Sequence, residues 1–250
     1  MTIRNKSLYF HSIGDIPLSV SVKLFGKQIN FIEKSGYEGK PIKDFETNRL
    51  KRNCVFVTFD DCFASVYENA VSVLKKHNFK ATFYAAINYI GKRRWGSVKY
   101  QRWSDEKTED FNVPFDYMSW DQLKDLADSG MEIGAHTITH RNLTEISKEE
   151  QEKEIFGSKE ILENKLGIEV TSFCYPRGKF NDDIISIVKQ AGYKYACTTI
   201  PGVITEDTNL YKIKRYPCGS FDLYFKSLFN MHHRAIFNVK KLFKAAFIKN

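Results

Sequence analysis

A chain of 250 residues with 42% hydrophobic and 14% aromatic content is long enough to bury one sizeable core and too apolar for intrinsic disorder. Its net charge is +8, but residues 221–250 hold six basic side chains against Asp222 alone, so the body has only a slight basic excess and no nucleic-acid footprint is expected. Five cysteines (Cys54, Cys62, Cys174, Cys197, Cys218) without CxxC spacing argue against a disulfide framework or a cysteine-ligated zinc and are expected to be reduced and buried.

In chain order, SLYFHS reads as a strand and 21–35 as a helix stopping at Gly36. NCVFVTFDD, rich in Val and Phe, is the second strand, and Tyr67–His77 an amphipathic helix after it, with His77 solvated. KATFYAAI is the third strand. The stretch 91–118, with two tryptophans and six basic residues, shows no regular pattern and is expected to be a long irregular loop of the kind that serves as a lid. Ser119 and Gln122 form a capping box for a helix that Gly130 closes, and MEIGAH is the fourth strand. Ser147 and Glu150 repeat the capping box for a long helix to Leu166, stopped by Gly167. TSFCYP is a strand, Asn181 caps a helix ending before Gly192, and KYACTT and YKIKRYP follow as strands.

Parallel neighbours need a crossover, and alternating helices supply it. The expected α/β fold over 1–220 is therefore a single distorted (β/α) barrel of about seven parallel strands, with an open doubly wound sheet as the alternative. Residues 221–250 form a separate tail.

The polar residues at the carboxyl ends of these strands, where such sheets build their sites, are informative. The first strand ends at His11, the second at Asp60 and Asp61, the fourth at His136, and the fifth at Tyr175 and Pro176. Adjacent carboxylates are unfavourable without a positive charge beside them, and a divalent metal supplies it. His136 and His140, four apart, place two imidazoles on one side of a turn and suit zinc; with one carboxylate they leave coordination positions open. Such a metal acidifies water and polarises a carbonyl. One acid binds metal while its neighbour takes a proton, and His11 from across the site is placed to protonate a leaving amine.

These residues resemble the NodB-homology polysaccharide deacetylases, carbohydrate esterase family four. The first family motif stands here as Thr58-Phe59-Asp60-Asp61 and the second as His136-Thr137-Ile138-Thr139-His140. ATFYAA (81–86), Trp120-Asp121-Gln122-Leu123 and EIFGSKEILENKLGIEVTSFCYPRG (154–178) are similar to further family segments, and the likeness extends over 8–218. The resemblance implies that Asp60 is the general base and that Asp61, His136 and His140 are the metal ligands. It also implies that the backbone N–H of Arg177 stabilises an oxyanion. The opening LYFHSIGD is similar to the YHSI start of the subgroup acting on poly-N-acetylglucosamine, in which an N-terminal histidine is the general acid. That role falls to His11, in competition with His232 and His233.

Three departures stand out. The family's third-motif arginine is replaced by Cys174, an aromatic before Gly178 by Arg177, and the glycine after TFDD by Cys62. A guanidinium at 177 suits an anionic substrate group. Tyr175, Pro176 and Arg177, with Trp95 and Trp103 from the 91–118 stretch, are the expected substrate-binding residues.

The reading that follows is a metal-dependent hydrolase removing an N-acetyl group from an amino sugar in a surface polysaccharide or its lipid-linked precursor, with zinc the favoured ion over cobalt, nickel or iron. Deformylation or O-deacetylation of a related sugar, and a catalytically silent glycan-binding domain, are the alternatives. The first thirty residues lack a signal peptide's apolar core, and the expected location is cytoplasmic. Residues 233–249 pattern as a basic amphipathic helix suited to peripheral contact with an inner membrane face. Oligomeric state is left open.

Overall fold

All six residues of the segment CVFVTF at 54–59 are buried, and a strand covered on both faces belongs inside a parallel sheet. The computed structural model describes residues 5–16, 19–49, 51, 53–97, 99, 102–219, 225, 228 and 229. The chain divides into two compact units, Met1–Ser220 and Phe221–Asn250. In the second, Phe225 and Phe229 set their rings 5.3 Å apart; residues 230–250, with the amphipathic stretch 233–249, His232 and His233, lie outside the described residues.

The strands of the first unit are β1 (Lys6–Phe10), β2 (Glu38–Lys40), β3 (Cys54–Phe59), β4 (Thr82–Ala85), β5 (Arg93–Ser97), β6 (Arg102–Ser104), β7 (Val113–Asp116), β8 (Glu132–Ala135), β9 (Ser172–Cys174), β10 (Tyr195–Cys197) and β11 (Tyr216–Pro217). Its helices are α1 (Val22–Lys34), α2 (Phe45–Asn48), α3 (Ala64–Asn69), α4 (Val71–Lys76), α5 (Trp120–Asp128), α6 (Lys148–Leu166) and α7 (Asp182–Gln190). The main sheet runs β10-β9-β8-β4-β3-β1-β11, with every pairing parallel and β2 added beside the start of β3. Leaving out the short β2, this order follows the chain in one direction from β1 to β10. A doubly wound sheet reverses direction midway, so the curled, barrel-like alternative is the one adopted. Seven parallel strands make up the path. Residues 210–217 bridge its edges: Thr198 N donates to Ile213 O at 2.9 Å and Ile213 N to Ala196 O at 3.0 Å, beside β10, and then Tyr216 and Pro217 pair with β1.

Capping explains the helix starts. The Ser21 hydroxyl accepts from Leu24 N at the start of α1, Asn181 accepts from Ile184 N at α7, and both expected capping boxes form. Gly36 and Gly167, at φ of 78° and 66°, supply the left-handed residues after α1 and α6. The helix expected over 67–77 is instead two short helices meeting at Ala70. The stretch 91–118 departs further from expectation: β5, β6 and β7 form a three-stranded antiparallel sheet there. Its signal was masked by charge, since Arg93 pairs with Asp116 through two hydrogen bonds of 2.6 and 2.7 Å across the ladder and so puts a cation and an acid where alternation looks for apolar residues. His77 is only partly solvated; its side chain is 12% exposed and lies 2.7 Å from Glu33.

Alternation along the strands sorts the core into two faces. Phe10, Phe59 and Phe83 stack across β1, β3 and β4, and Phe10 and Phe59 meet Phe25 of α1 edge-on. The other face carries Phe56, Tyr84, Cys174, Tyr195 and Cys197, clustered with Ile42, Phe45, Ile204 and Ile213. Continuing the same parity, Asp60 and His136 belong to this inner face. All five cysteines are free and buried. At the opposite end Glu132 is buried, accepting from Lys43 N at 2.7 Å, Thr82 Oγ1 at 2.7 Å and Ser172 Oγ at 2.6 Å. Burial pushes this carboxyl up, against the opposing pull of those hydrogen bonds.

Glu132 therefore ties the starts of β4, β8 and β9 together. Glu132→Ala strands three donors in the interior, and denaturant titration should show a loss of about 2–4 kcal/mol. Glu132→Gln, which keeps the acceptor, should lose clearly less.

Candidate active site and metal centre

Asp61, His136 and His140 converge on one point. Asp61 Oδ1 lies 3.3 Å from His140 Nε2 and 3.7 Å from His136 Nε2, and the two Nε2 atoms are 3.2 Å apart. Ligands about 2.0–2.1 Å from a tetrahedral ion stand roughly 3.3–3.4 Å from one another, so the triangle is close to the size that suits a small divalent ion. The chemistry of the set fits as well. His136 Nδ1 lies 2.7 Å from the Cys174 carbonyl oxygen, so that nitrogen carries the proton and donates, and Nε2 is left with its lone pair toward the triangle. His140 is pushed down to about 4, chiefly by burial, with the charge of Asp61 opposing. It is therefore neutral at pH 7, as a ligand must be.

These side chains are aimed by strained backbone. Seven described non-glycine residues have positive φ, and five of them are Asp61, Cys62, Thr137, His140 and Arg177, at 56–69°. The left-handed conformation costs roughly 1 kcal/mol or more for such residues, so surrounding contacts must hold it. The Cys62 carbonyl accepts from Met118 N at 2.9 Å, which keeps the turn although glycine is absent there. The loop between the histidines is clamped by Glu154 of α6, which accepts from Ile138 N and Thr139 N at 2.8 Å each and from Thr139 Oγ1 at 2.5 Å. At the third turn, Gly178 has φ 65° and a Cβ there would collide with Thr199.

Beside the triangle lies Asp60, 2% exposed. Arg215, fully buried, donates to it twice, NH1 to Oδ1 at 2.7 Å and NH2 to Oδ2 at 2.8 Å. Its remaining donors go to Thr58 Oγ1 at 2.7 Å, Thr198 O at 2.9 Å and Cys174 Sγ at 3.1 Å, so all five guanidinium N–H groups are used. Burial drives the Asp60 carboxyl upward, but the charge and hydrogen bonds of Arg215 outweigh it and hold the group well below the usual carboxylate range. The arginine missing at 174 is thus supplied from 215, through space that the small Cys174 side chain leaves open. Its signal was present in YKIKRYP, where Arg215 shares a strand face with the buried Ile213 while Lys212 and Lys214 flank it.

His11 follows β1 directly. Asp60 N donates to Phe10 O at 2.8 Å, so His11 and Asp60 leave adjacent strand ends together. Its ring meets the Tyr9 ring edge-on at 5.8 Å. Among the expected substrate-binding residues, Arg177 is exposed and lines a cavity that reaches His140. Tyr175 and Pro176 need correction: both are buried, and Tyr175 donates its hydroxyl to Tyr211 O at 3.1 Å and stacks on Phe180. They support the turn from beneath and offer no face to a sugar. Trp95, with Lys107 over its ring at 5.1 Å, is not in the cavity wall, where its neighbour Arg94 stands with Tyr89. The Trp103 backbone pairs with Gly96, and its side chain lies outside the described residues.

The family model described as polysaccharide deacetylase matches residues 47–196. YxkH of Bacillus subtilis is 27% identical over 214 residues, 83% of this chain and 69% of that protein. A poly-beta-1,6-N-acetyl-D-glucosamine N-deacetylase of Staphylococcus aureus is 25% identical over 227 residues, 85% of this chain and 72% of that protein. The crystal structure of a polysaccharide deacetylase from Bacillus cereus aligns with a TM-score of 0.72 at 27% identity, covering 92% of this chain and 70% of that one.

Removing Arg215 leaves a buried carboxylate without its counter-charge. Arg215→Met should destabilise the protein by about 3–5 kcal/mol. Adding Asp60→Asn should restore part of that loss, so that the double variant is more stable than the sum of the singles; strict additivity in denaturant unfolding would show that the two side chains are not coupled.

Proposed function

The chain belongs to the polysaccharide deacetylase family, and on that basis we propose that it is a metal-dependent hydrolase that removes the N-acetyl group of an amino sugar in a surface polysaccharide or its lipid-linked precursor. The observation that carries this reading is the Asp61–His136–His140 triangle, close to the size that suits a small divalent ion, with a buried carboxylate, Asp60, held ionised beside it. Similarity to a poly-beta-1,6-N-acetyl-D-glucosamine N-deacetylase supports an amino-sugar glycan as substrate.

Asp61, His136 and His140 would hold a divalent ion, which would supply Lewis-acid polarisation of the amide carbonyl. Asp60 accepts a proton from the attacking water while that oxygen bonds to the acetyl carbon. Arg215 binds both carboxylate oxygens and Cys174 Sγ donates to Oδ2 at 3.7 Å, which leaves Oδ1 a further lone pair for this purpose. The backbone N–H of Arg177 is assigned to the developing oxyanion. The C–N bond then breaks with its electron pair on nitrogen, and His11 protonates the leaving amine, so acetate and a free amino sugar result.

Acetate release from β-1,6-linked N-acetylglucosamine oligomers tests this. A chelator should abolish it, and zinc should restore it, with cobalt, nickel and iron compared alongside. Asp60→Asn should lower turnover by roughly 10²–10⁴-fold with zinc still bound stoichiometrically, and His11→Ala should lower it within the same span; an Asp60→Asn protein as active as wild type would remove the proposed base. The amphipathic pattern of 233–249 supports peripheral docking on anionic lipid. Deleting 232–250 should abolish sedimentation with anionic liposomes, and equal sedimentation of both forms would exclude the tail as anchor.

A further inference from the structure

A cavity of about 360 Å³ adjoins the metal ligands, within the range of small-molecule sites. Its wall includes His140, Thr139, Tyr89 and three arginines, Arg94, Arg141 and Arg177. Two of these cations have carboxylate partners outside the wall: Arg141 pairs with Glu150 and Arg94 with Asp105, each at 2.7 Å. The carboxylate within the wall, Glu145, accepts from Asn142 Nδ2 at 2.6 Å. Among the described residues Arg177 has no carboxylate partner.

Arg177 is nonetheless well placed. Its Cα sits at φ 57° in a turn closed by Gly178 N to Tyr175 O at 2.9 Å and floored by buried Tyr175 and Pro176. It lines the same cavity as His140, so it stands near the reacting end of the cavity. A neutral glycan usually asks such a wall for an aromatic face, but here the ring of Tyr89 is covered by the Arg94 guanidinium at 4.3 Å. A guanidinium with unused donors is instead matched to a planar or tetrahedral oxyanion, which it can bind through two parallel hydrogen bonds.

We propose that the sugar deacetylated here, or the unit next to it, carries an oxyanion, a phosphate or a carboxylate, and that Arg177 receives it with Arg141 and Arg94 biasing the cavity toward negative charge. This rests on the deacetylase reading for the reaction but not for the binding, and the two separate by experiment. Calorimetric titration of the zinc-loaded full chain should compare N-acetylglucosamine with its 6-phosphate and with N-acetylmuramic acid, which carries a carboxylate, and with inorganic phosphate alone. At least one anionic sugar should bind about tenfold tighter than the neutral one or better. That ratio should fall to near one in Arg177→Gln and below one in Arg177→Glu, and it should shrink with added salt. The better arm identifies the oxyanion.

Equal affinity of all three sugars, or an unchanged ratio in Arg177→Gln, overturns the proposal. So does inorganic phosphate binding as tightly as the sugar phosphate, because the cavity would then read an ion and not a substrate. Acetate release measured in parallel separates the two readings. Turnover of neutral oligomers without any anion preference removes the oxyanion and keeps the deacetylase. Arg177-dependent binding of anionic sugars without acetate from any substrate does the reverse.

Discussion

The site is organised around one buried ion pair. Asp60 follows β3 on its inner face, almost fully buried, and Arg215 meets both of its oxygens in the paired geometry a guanidinium favours. Neither group would be tolerable there alone, since an unpaired ion in a dry interior is strongly disfavoured. Together, with Thr58, Thr198 and Cys174 taking the other donors, they leave no guanidinium N–H unmatched. Such saturation matters more than the attraction itself, because a half-satisfied polar cluster destabilises a core. The small Cys174 side chain belongs to the same arrangement, as a longer group at that position would occupy the volume through which Arg215 reaches.

A second constraint acts on the rim. Strands deliver side chains straight up, whereas metal ligands must lean inward to within a few ångströms of each other. The left-handed residues at Asp61, Cys62, Thr137, His140 and Arg177 provide that lean, and neighbouring elements hold each bend: Met118 at the first, Glu154 of α6 at the second, Thr199 pressed over Gly178 at the third. The local strain is therefore distributed over contacts well outside the ligand triangle.

Much of this was legible in the sequence, for identifiable reasons. Buried parallel strands write themselves as runs such as CVFVTF, and capping boxes at Ser119 and Ser147 mark helix starts through purely local chemistry. The ligand candidates were visible because they end strands. What escaped were features that depend on distance in space. The β5–β7 sheet is held partly by a charged cross-strand pair, Arg93 with Asp116, which looks like loop composition. Tyr175 appears in sequence as an aromatic at a strand end, and only the packing of Phe180 and Tyr211 over it shows it facing inward. Arg215 and Glu154 lie 155 residues from Asp60 and 15 from Thr139 respectively, and no local pattern links such partners.

The bridging segment 210–217 has a consequence for how the molecule is made. Synthesis runs from the N-terminus, and early elements begin to fold as they emerge. β1, β3 and the Asp60–Asp61 turn are complete long before Arg215 leaves the ribosome. Until then Asp60 has no counter-ion, and burying its charge alone is unfavourable. Arrival of 210–217 joins β10 to β1 and neutralises Asp60 in one event. Asp60 therefore acquires its counter-charge only once nearly the whole first unit has been translated.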